Sequence, residues 1–305
     1  MKREILISGT QRETRVAILE DDRLVELLVD RPDTRRSVGD IYLGRVDAVL
    51  PGIQAAFVDI GAEKSAFLHA SDLIESDEED ENGNGEHEED DEEAGDGNGH
   101  GRSRRKAPNI ADELKRGQAK LVQVIKEPIG TKGPRVTAQV SLAGRFLVYM
   151  PFASKVGVSR KIEQRDQRAK LRDMVSKLVP QDSGGWIIRT VAEDLTEESC
   201  KREIDHLYEL WKKIKRKSGS VRAPALVQRE TSLTRGIIRD LFSSKVDSLL
   251  VDSKQLHHEI TTYLKQIDPG LLSRVAFYEE STPLFDKYDI EAEIRSLFKA
   301  RVDLP

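Results

Sequence analysis

The chain has 305 residues, 38% of them hydrophobic and 34% charged; that is too long for one ordinary core, so two or three folding units are expected. No stretch approaches the roughly 18 to 20 apolar residues that cross a bilayer, which argues against a membrane-spanning protein. A lone cysteine, Cys200, excludes an internal disulfide and a thiolate metal site, in keeping with a reducing compartment.

Met1 to Ser8 alternates into a strand and lacks the apolar run of a signal peptide, so a cytoplasmic location is expected. Strands are read at Glu4–Ile7, Thr14–Leu19 and Leu24–Val29, with turn residues Glu20-Asp21-Asp22 between the last two, as a small antiparallel meander. Gly39 to His69 reads as short strands punctuated by glycine at 39, 44, 52 and 61, and Ala119–Ile125 adds another. Short strands cornered by glycine fit a small closed barrel of the OB kind.

Glu75 to about Lys106 interrupts this pattern. It holds 14 Asp and Glu and no Lys or Arg between Glu75 and Asp96, then the basic cluster Arg102-Ser103-Arg104-Arg105-Lys106. It reads as a disordered insertion, because the pattern that stops at Leu73 resumes at Ile110. Its role stays open between a solvated loop and an acidic competitor for a basic surface. The formal net charge of −5 conceals that surface: outside the 14 acids, 40 acids face 49 bases, a net of +9. A cationic body is the footprint of a polyanion binder.

After Pro151 helices are expected over Arg160–Val179 and Thr196–Lys217. The second has apolar residues at Cys200, Ile204, Leu207, Trp211 and Ile214, Thr196 as its N-cap and Gly219 as its stop. Gly185–Thr190 between them is a short buried strand. From Leu233 the order is helix, strand (Val246–Val251), helix (Gln255–Gln266), strand (Arg274–Tyr278) and helix (Ile290–Lys299), an α/β alternation. Arg301-Val302-Asp303-Leu304-Pro305 begins a further strand, which reads as a chain cut short.

Gly44–Gly61 contains Phe57-Val58-Asp59-Ile60-Gly61 and is followed by Phe67-Leu68-His69-Ala70-Ser71. These segments resemble the S1 RNA-binding domain, with its later strand matched by Gly117–Lys126. The reading places Phe57 and Phe67 on neighbouring strands as stacking platforms for bases, with Lys126 and Lys132 offering charge to the backbone. Pattern alone leaves open whether the two rings face outward or line the barrel core.

Met1–Ile7, Ala55–Asp59, Ser141–Pro151, Gly157–Ile162 and Pro283–Glu291 resemble, in order, the characteristic blocks of the ribonuclease E/G family of single-strand-specific endoribonucleases. The resemblance implies a multidomain α+β fold in which an S1-type OB barrel and a 5′-sensor region are inserted into a ribonuclease-H-like α/β subdomain. The implied extents are 1–35 and 236–305 for that subdomain, 36–140 for the barrel with the insertion at 75–107, and 141–235 for the sensor. It implies RNA decay and stable-RNA processing, with single-stranded RNA bearing a 5′-monophosphate as partner. The terminal phosphate is assigned to Arg189 and Thr190, backed by Gly144 and Val148, since a guanidinium grips phosphate with parallel hydrogen bonds and glycine admits close main-chain approach. Arg160 and Lys161 are further candidates, set against solvated residues opening a helix.

The family's magnesium-binding carboxylates, and the cysteine pair that holds zinc between protomers of an oligomer, are expected beyond Pro305, so no turnover is expected from this chain alone. Asp240, Asp247 and Asp252 are read as structural, as are His257 and His258. The rival reading is a stand-alone, non-catalytic RNA-binding protein.

Overall fold

The computed structural model describes residues 2–31, 36–73, 109–192, 195–230, 232–243 and 245–298. The acidic insertion at 75–107, the strand expected from Arg301 and the end of the helix expected to reach Lys299 lie outside the described residues.

Three strands come first: β1 (Arg3–Gly9), β2 (Thr14–Glu20) and β3 (Arg23–Asp30). They are followed by β4 (Ile41–Leu50), β5 (Ala55–Asp59), β6 (Ala66–His69), the short helix α1 (Ile110–Glu113), β7 (Ala119–Lys126) and β8 (Arg135–Thr137). Next come β9 (Leu142–Ala143), β10 (Leu147–Met150), β11 (Val156–Val158), α2 (Arg165–Leu178), β12 (Gly185–Ile188), α3 (Glu197–Ser220) and β13 (Ala225–Gln228). The last elements are α4 (Leu233–Asp240), β14 (Ser248–Val251), α5 (Lys254–Ile267), β15 (Val275–Phe277), α6 (Leu284–Lys287) and α7 (Ile290–Leu297). The fold is mixed α+β and divides into two units, Ile41–Val140 with Val221–Val227, and Met1–Asp40 with Ser141–Ser220 and Gln228–Pro305.

In the first of these units β4, β5, β6, β8 and β7 close into a five-stranded barrel through the β4–β7 pairing, consistent with an OB-like fold. β13 joins beside β4. Alternation decides the inside: Val46, Ala56, Val58, Ala66, Leu68, Val122, Val124 and Val136 fill the barrel core. Small residues let the strands curve tightly.

The other unit holds a five-stranded sheet of order β15-β14-β1-β2-β3. β1, β2 and β3 form the antiparallel meander, while β14 pairs in parallel with β1 and β15 with β14. One face, with Ile5, Ile7, Leu249 and Val251, packs on α4 and α5 through Ile238, Ile260 and Leu264. The opposite face, with Leu6, Ala17 and Leu19, packs on Leu284, Phe285 and Ile290 of α6 and α7. A smaller sheet of order β11-β12-β10-β9 lies in the same unit.

Two helix ends differ from the pattern reading. α2 begins at Arg165 because Ser159 first turns the chain, its carbonyl accepting from Ile162 N at 3.2 Å and its hydroxyl from Lys161 N at 3.4 Å. α3 runs through Gly219 to Ser220. Its start is as the N-cap pattern requires: Thr196 Oγ1 accepts from Ser199 N at 3.3 Å.

Glycine is required at 133, where a Cβ would stand 2.1 Å from the Ser65 carbonyl oxygen, whereas at Gly52 no atom comes within 4 Å. Gly133→Ala is expected to destabilise the protein by about 1–3 kcal/mol in urea unfolding, through forced overpacking. Gly52→Ala should change stability by no more than ~0.5 kcal/mol, and equal effects would refute this account of Gly133.

Candidate nucleic-acid interface

On the barrel, Phe57 and Phe67 are cross-strand partners, with ring centroids 6.1 Å apart and planes inclined by 68°. Neither belongs to the interior cluster, and Phe57 is 37% exposed. The barrel-core alternative left open by the pattern is therefore not what the coordinates place: the flanking Ala56 and Val58 point inward and Phe57 points out.

Register extends this pair into a row. Phe67 of β6 lies opposite Arg135 of β8, and Arg135 opposite Lys126 of β7. Sequence reading missed Arg135, because β6 and β8 are far apart in sequence and pair in parallel. Its guanidinium is held by Asp72 through Nε (3.2 Å) and Nη2 (3.0 Å), so the cation is fixed beside the rings. Lys126 is exposed at the end of β7. Lys132, also exposed, sits in the β7–β8 loop, which Lys64 Nζ ties down by donating to the Gly130 carbonyl at 3.0 Å. An exposed ring, Phe57, and a half-buried one, Phe67, beside fixed and flexible cations form a surface suited to single strands, because every base offers a face to stack and every nucleotide a phosphate.

The second constellation stands at one end of the β11-β12-β10-β9 sheet. β12 ends at Ile188, and Arg189 N continues the ladder by donating to Phe146 O at 2.8 Å. Arg189 Nη1 donates to the carbonyls of Gly144 (2.8 Å) and Arg145 (3.3 Å), and Nη2 meets Asp240 Oδ1 at 2.6 Å. These contacts occupy three of the five guanidinium donors. Thr190 Oγ1 is 3.0 Å from Ser159 Oγ, which brings Arg160, exposed at the next position, to the same end of the sheet. Lys161 is likewise exposed. Val148 stands further back, its partners in the ladder being Ile187 and Ala143. Gly144, Arg189 and Thr190 thus converge, with Arg160 at the margin.

A buried carboxylate that sequence reading did not single out shapes this end. Glu203 of α3 accepts from the main-chain N–H groups of Arg145 (2.5 Å), Phe146 (2.9 Å) and Leu147 (3.0 Å). A Cβ at Gly144 would come within 2.6 Å of its Oε1, so glycine makes room for this carboxylate. The turn that presents the Gly144 and Arg145 carbonyls to Arg189 is therefore set by Glu203. Burial pushes the Glu203 carboxyl up to about 7, overriding the three N–H bonds and the nearby Arg145 guanidinium that favour its ionised form. Asp240 shows the opposite balance: burial raises its pKa, but hydrogen bonds and charge from Arg239 and Arg189 hold it below its ordinary 3.8.

The other polar residues weighed from sequence do not converge. Asp247 Oδ2 accepts from Arg3 N and Asp252 Oδ1 from Gly9 N, both at 2.8 Å, so each aspartate seals one end of the β1–β14 pairing. Among the described residues no three His, Cys, Asp or Glu side chains gather to hold a metal ion, and no helix is long and apolar enough to cross a membrane. Cys200 is buried.

A raised folded-state pKa means that folding takes up a proton, so the Glu203 contribution is complete below its unfolded value of 4.5 and is lost as pH rises through about 7. Glu203→Gln should flatten the stability-versus-pH curve between these limits relative to the parent chain. Identical slopes in thermal melts at pH 5, 6, 7 and 8 would show that Glu203 does not titrate there.

Residues 141–305 match the family model described as "Ribonuclease E/G family". The chain is 36% identical over 301 residues to a protein named Ribonuclease G from Haemophilus influenzae, covering 99% of this chain and 58% of that protein. It is 34% identical over 304 residues to Ribonuclease G of Escherichia coli, covering 100% and 58%. To Ribonuclease E of a Synechocystis species it is 33% identical over 309 residues, covering 100% and 41%. The chain thus spans less than two thirds of the length of these relatives.

Proposed function

From the premise that the chain belongs to the ribonuclease E/G family, we propose that it grips single-stranded RNA and reads the 5′-monophosphate end for an endoribonuclease of RNA decay and of ribosomal and stable-RNA processing. The observation that carries this reading is the arrangement of Arg189. Its guanidinium is oriented by two carbonyls and Asp240 at the end of a sheet, with Thr190 adjacent and, among the described residues, two donors left for a ligand. A terminal phosphate can take parallel hydrogen bonds from that fork and a further one from the threonine hydroxyl, while Arg160 adds positive potential at the margin. A 5′-hydroxyl end offers neither the charge nor the acceptor oxygens.

The barrel row supplies the second part of the grip. Phe57 and Phe67 stack bases, Lys126 and Lys132 neutralise phosphates, and Arg135, paired with Asp72, offers its remaining N–H groups, a combination that holds single strands with little regard to sequence. In this reading the barrel and the sensor are inserted into a ribonuclease-H-like subdomain made by the sheet of β1, β2, β3, β14 and β15. Cleavage itself is assigned to magnesium, which stabilises charge on the phosphoryl group when bound. The described residues do not fit such an ion, because Asp247 and Asp252 are committed to main-chain amides at opposite ends of β14. The lone buried Cys200 likewise does not fit zinc.

Arg189→Ala is expected to abolish the preference for 5′-monophosphate over 5′-hydroxyl RNA, a loss of roughly ten- to hundredfold if one charge-assisted bond is removed. Binding of 5′-hydroxyl RNA should stay near its starting value. Phe57→Ala should weaken both substrates alike, by about 1–3 kcal/mol for one lost stack. Fluorescence anisotropy with paired oligonucleotides distinguishes the two, and equal losses on both substrates for Arg189→Ala would overturn the sensor assignment.

A further inference from the structure

We propose that the C-terminal half of α3 and the β10–β11 loop form a further docking strip for single-stranded RNA, apart from the barrel row and from the Arg189 cradle. The inference rests on RNA being the ligand and adds a surface that neither constellation includes.

The strip combines one exposed ring, Phe152, and two half-buried ones, Tyr208 and Trp211, with a concentration of cations. Phe152, in the turn after β10, is 53% exposed although it is a large apolar side chain. Its ring meets Trp211 of α3 edge-on, with centroids 5.5 Å apart and planes at 86°. Tyr208, Trp211, Lys212 and Lys215 follow one another at helical spacing along one face of α3. Lys212 Nζ lies 4.4 Å from the Tyr208 ring centroid and 2.7 Å from Glu209 Oε1. Beyond Glu209 the helix carries Lys212, Lys213, Lys215, Arg216 and Lys217, all exposed, and no acid up to its end at Ser220. Lys155, also exposed, extends the positive surface from the loop side.

Cations complement the negative end of a helix dipole, and this explains basic residues in the last turn. It does not explain a run that starts two turns earlier, nor a phenylalanine left half in water beside it. A folded acidic partner would match the charge but has no particular use for an edge-presented pair of rings. Unpaired bases stack on such rings while their phosphates meet lysines, so charge and aromatic exposure together favour a single strand. Phe152 lies five residues past Leu147, whereas Arg189 sits at the Phe146 end of the same strand pair. The strip and the cradle are therefore at opposite ends of β10, whose Leu147–Met150 span is roughly 10 Å at about 3.3 Å per strand residue.

The test uses the 305-residue chain and a fluorescein-labelled 5′-hydroxyl oligouridylate, whose binding is followed by anisotropy across a potassium chloride series. The triple variant Lys212→Gln, Lys215→Gln, Arg216→Gln should bind several-fold more weakly at low salt. Its slope of log affinity against log salt should be shallower by about 0.7 for each phosphate contact removed. Replacing the same three positions by other cations (Lys212→Arg, Lys215→Arg, Arg216→Lys) should preserve the slope. Phe152→Ser should weaken binding by roughly fivefold or more while leaving the slope in place. Melting curves of these surface variants confirm that the fold is retained.

Should the parent chain bind RNA, lose affinity through Phe57→Ala, and yet be indifferent in affinity and slope to both strip variants, the strip is not an RNA surface. The broader reading survives in that case. Were the parent chain to show no saturable RNA binding at all, the function proposed above would fall first, and the strip with it.

Discussion

The parallel pairing of β1 with β14 is the constraint from which the rest of the larger unit follows. It places Glu4 opposite Ser248 and Ile7 opposite Val251, residues separated by nearly the whole chain. Five consecutive β1 residues, Glu4 to Ser8, are buried, because helices cover both faces of the sheet. Such a strand cannot leave its ladder unsatisfied without placing bare amides and carbonyls away from water. Asp247 and Asp252 complete that ladder at its two ends, each returning a side-chain acceptor to a β1 amide. The chain between the two strands must therefore depart and come back, and it uses the excursion to build the barrel and the β11-β12-β10-β9 sheet.

Buried polar groups then order the surroundings of Arg189 from the inside outward. Glu203 is 4% exposed and fixes the 145–147 turn through three amides; the carbonyls of that turn fix Arg189; Asp240 fixes the outer side of the same guanidinium. Arg145, equally buried, donates to the Ile238 carbonyl at 3.0 Å and approaches Asp268 at 3.5 Å, tying the turn to α4 and to the end of α5. Burial lowers the pKa of Arg145, with Asp268 and Glu203 opposing that effect. Removing Glu203 or Arg145, the two members that are 4% exposed, would leave buried polar groups unpaired, a cost of about 3–5 kcal/mol in comparable cases. The orientation of Arg189 thus depends on residues buried behind it.

The outward surfaces obey a different rule. The barrel curves because its interior is lined by alanine and valine, and that curvature leaves the larger Phe57 and Phe67 on the convex side. Rings kept outside the core leave apolar surface in water, which costs stability that burial would have supplied. Arg135 and its partner Asp72 show how a cation is held ready at such a surface: the carboxylate orients the fork without burying it.

Much of this was legible in the sequence wherever the signal was local. Alternation located β1, β2 and β3, a short apolar run located β12, helical spacing located α3, and Thr196 marked the start of α3 through its own hydroxyl. The residue identities of Phe57, Phe67, Arg189 and Thr190 were also visible, since they sit in short recognisable segments. Other features needed the folded chain. Whether Phe57 and Phe67 faced in or out, that Arg135 completes their row, that Glu203 governs a turn some sixty positions earlier, and that Phe152 meets Trp211 all follow from register and packing between distant segments. A period of two or of 3.6 residues is written in neighbouring side chains, whereas which strand lies beside which, and which carboxylate reaches which amide, is decided only when the core closes and water leaves.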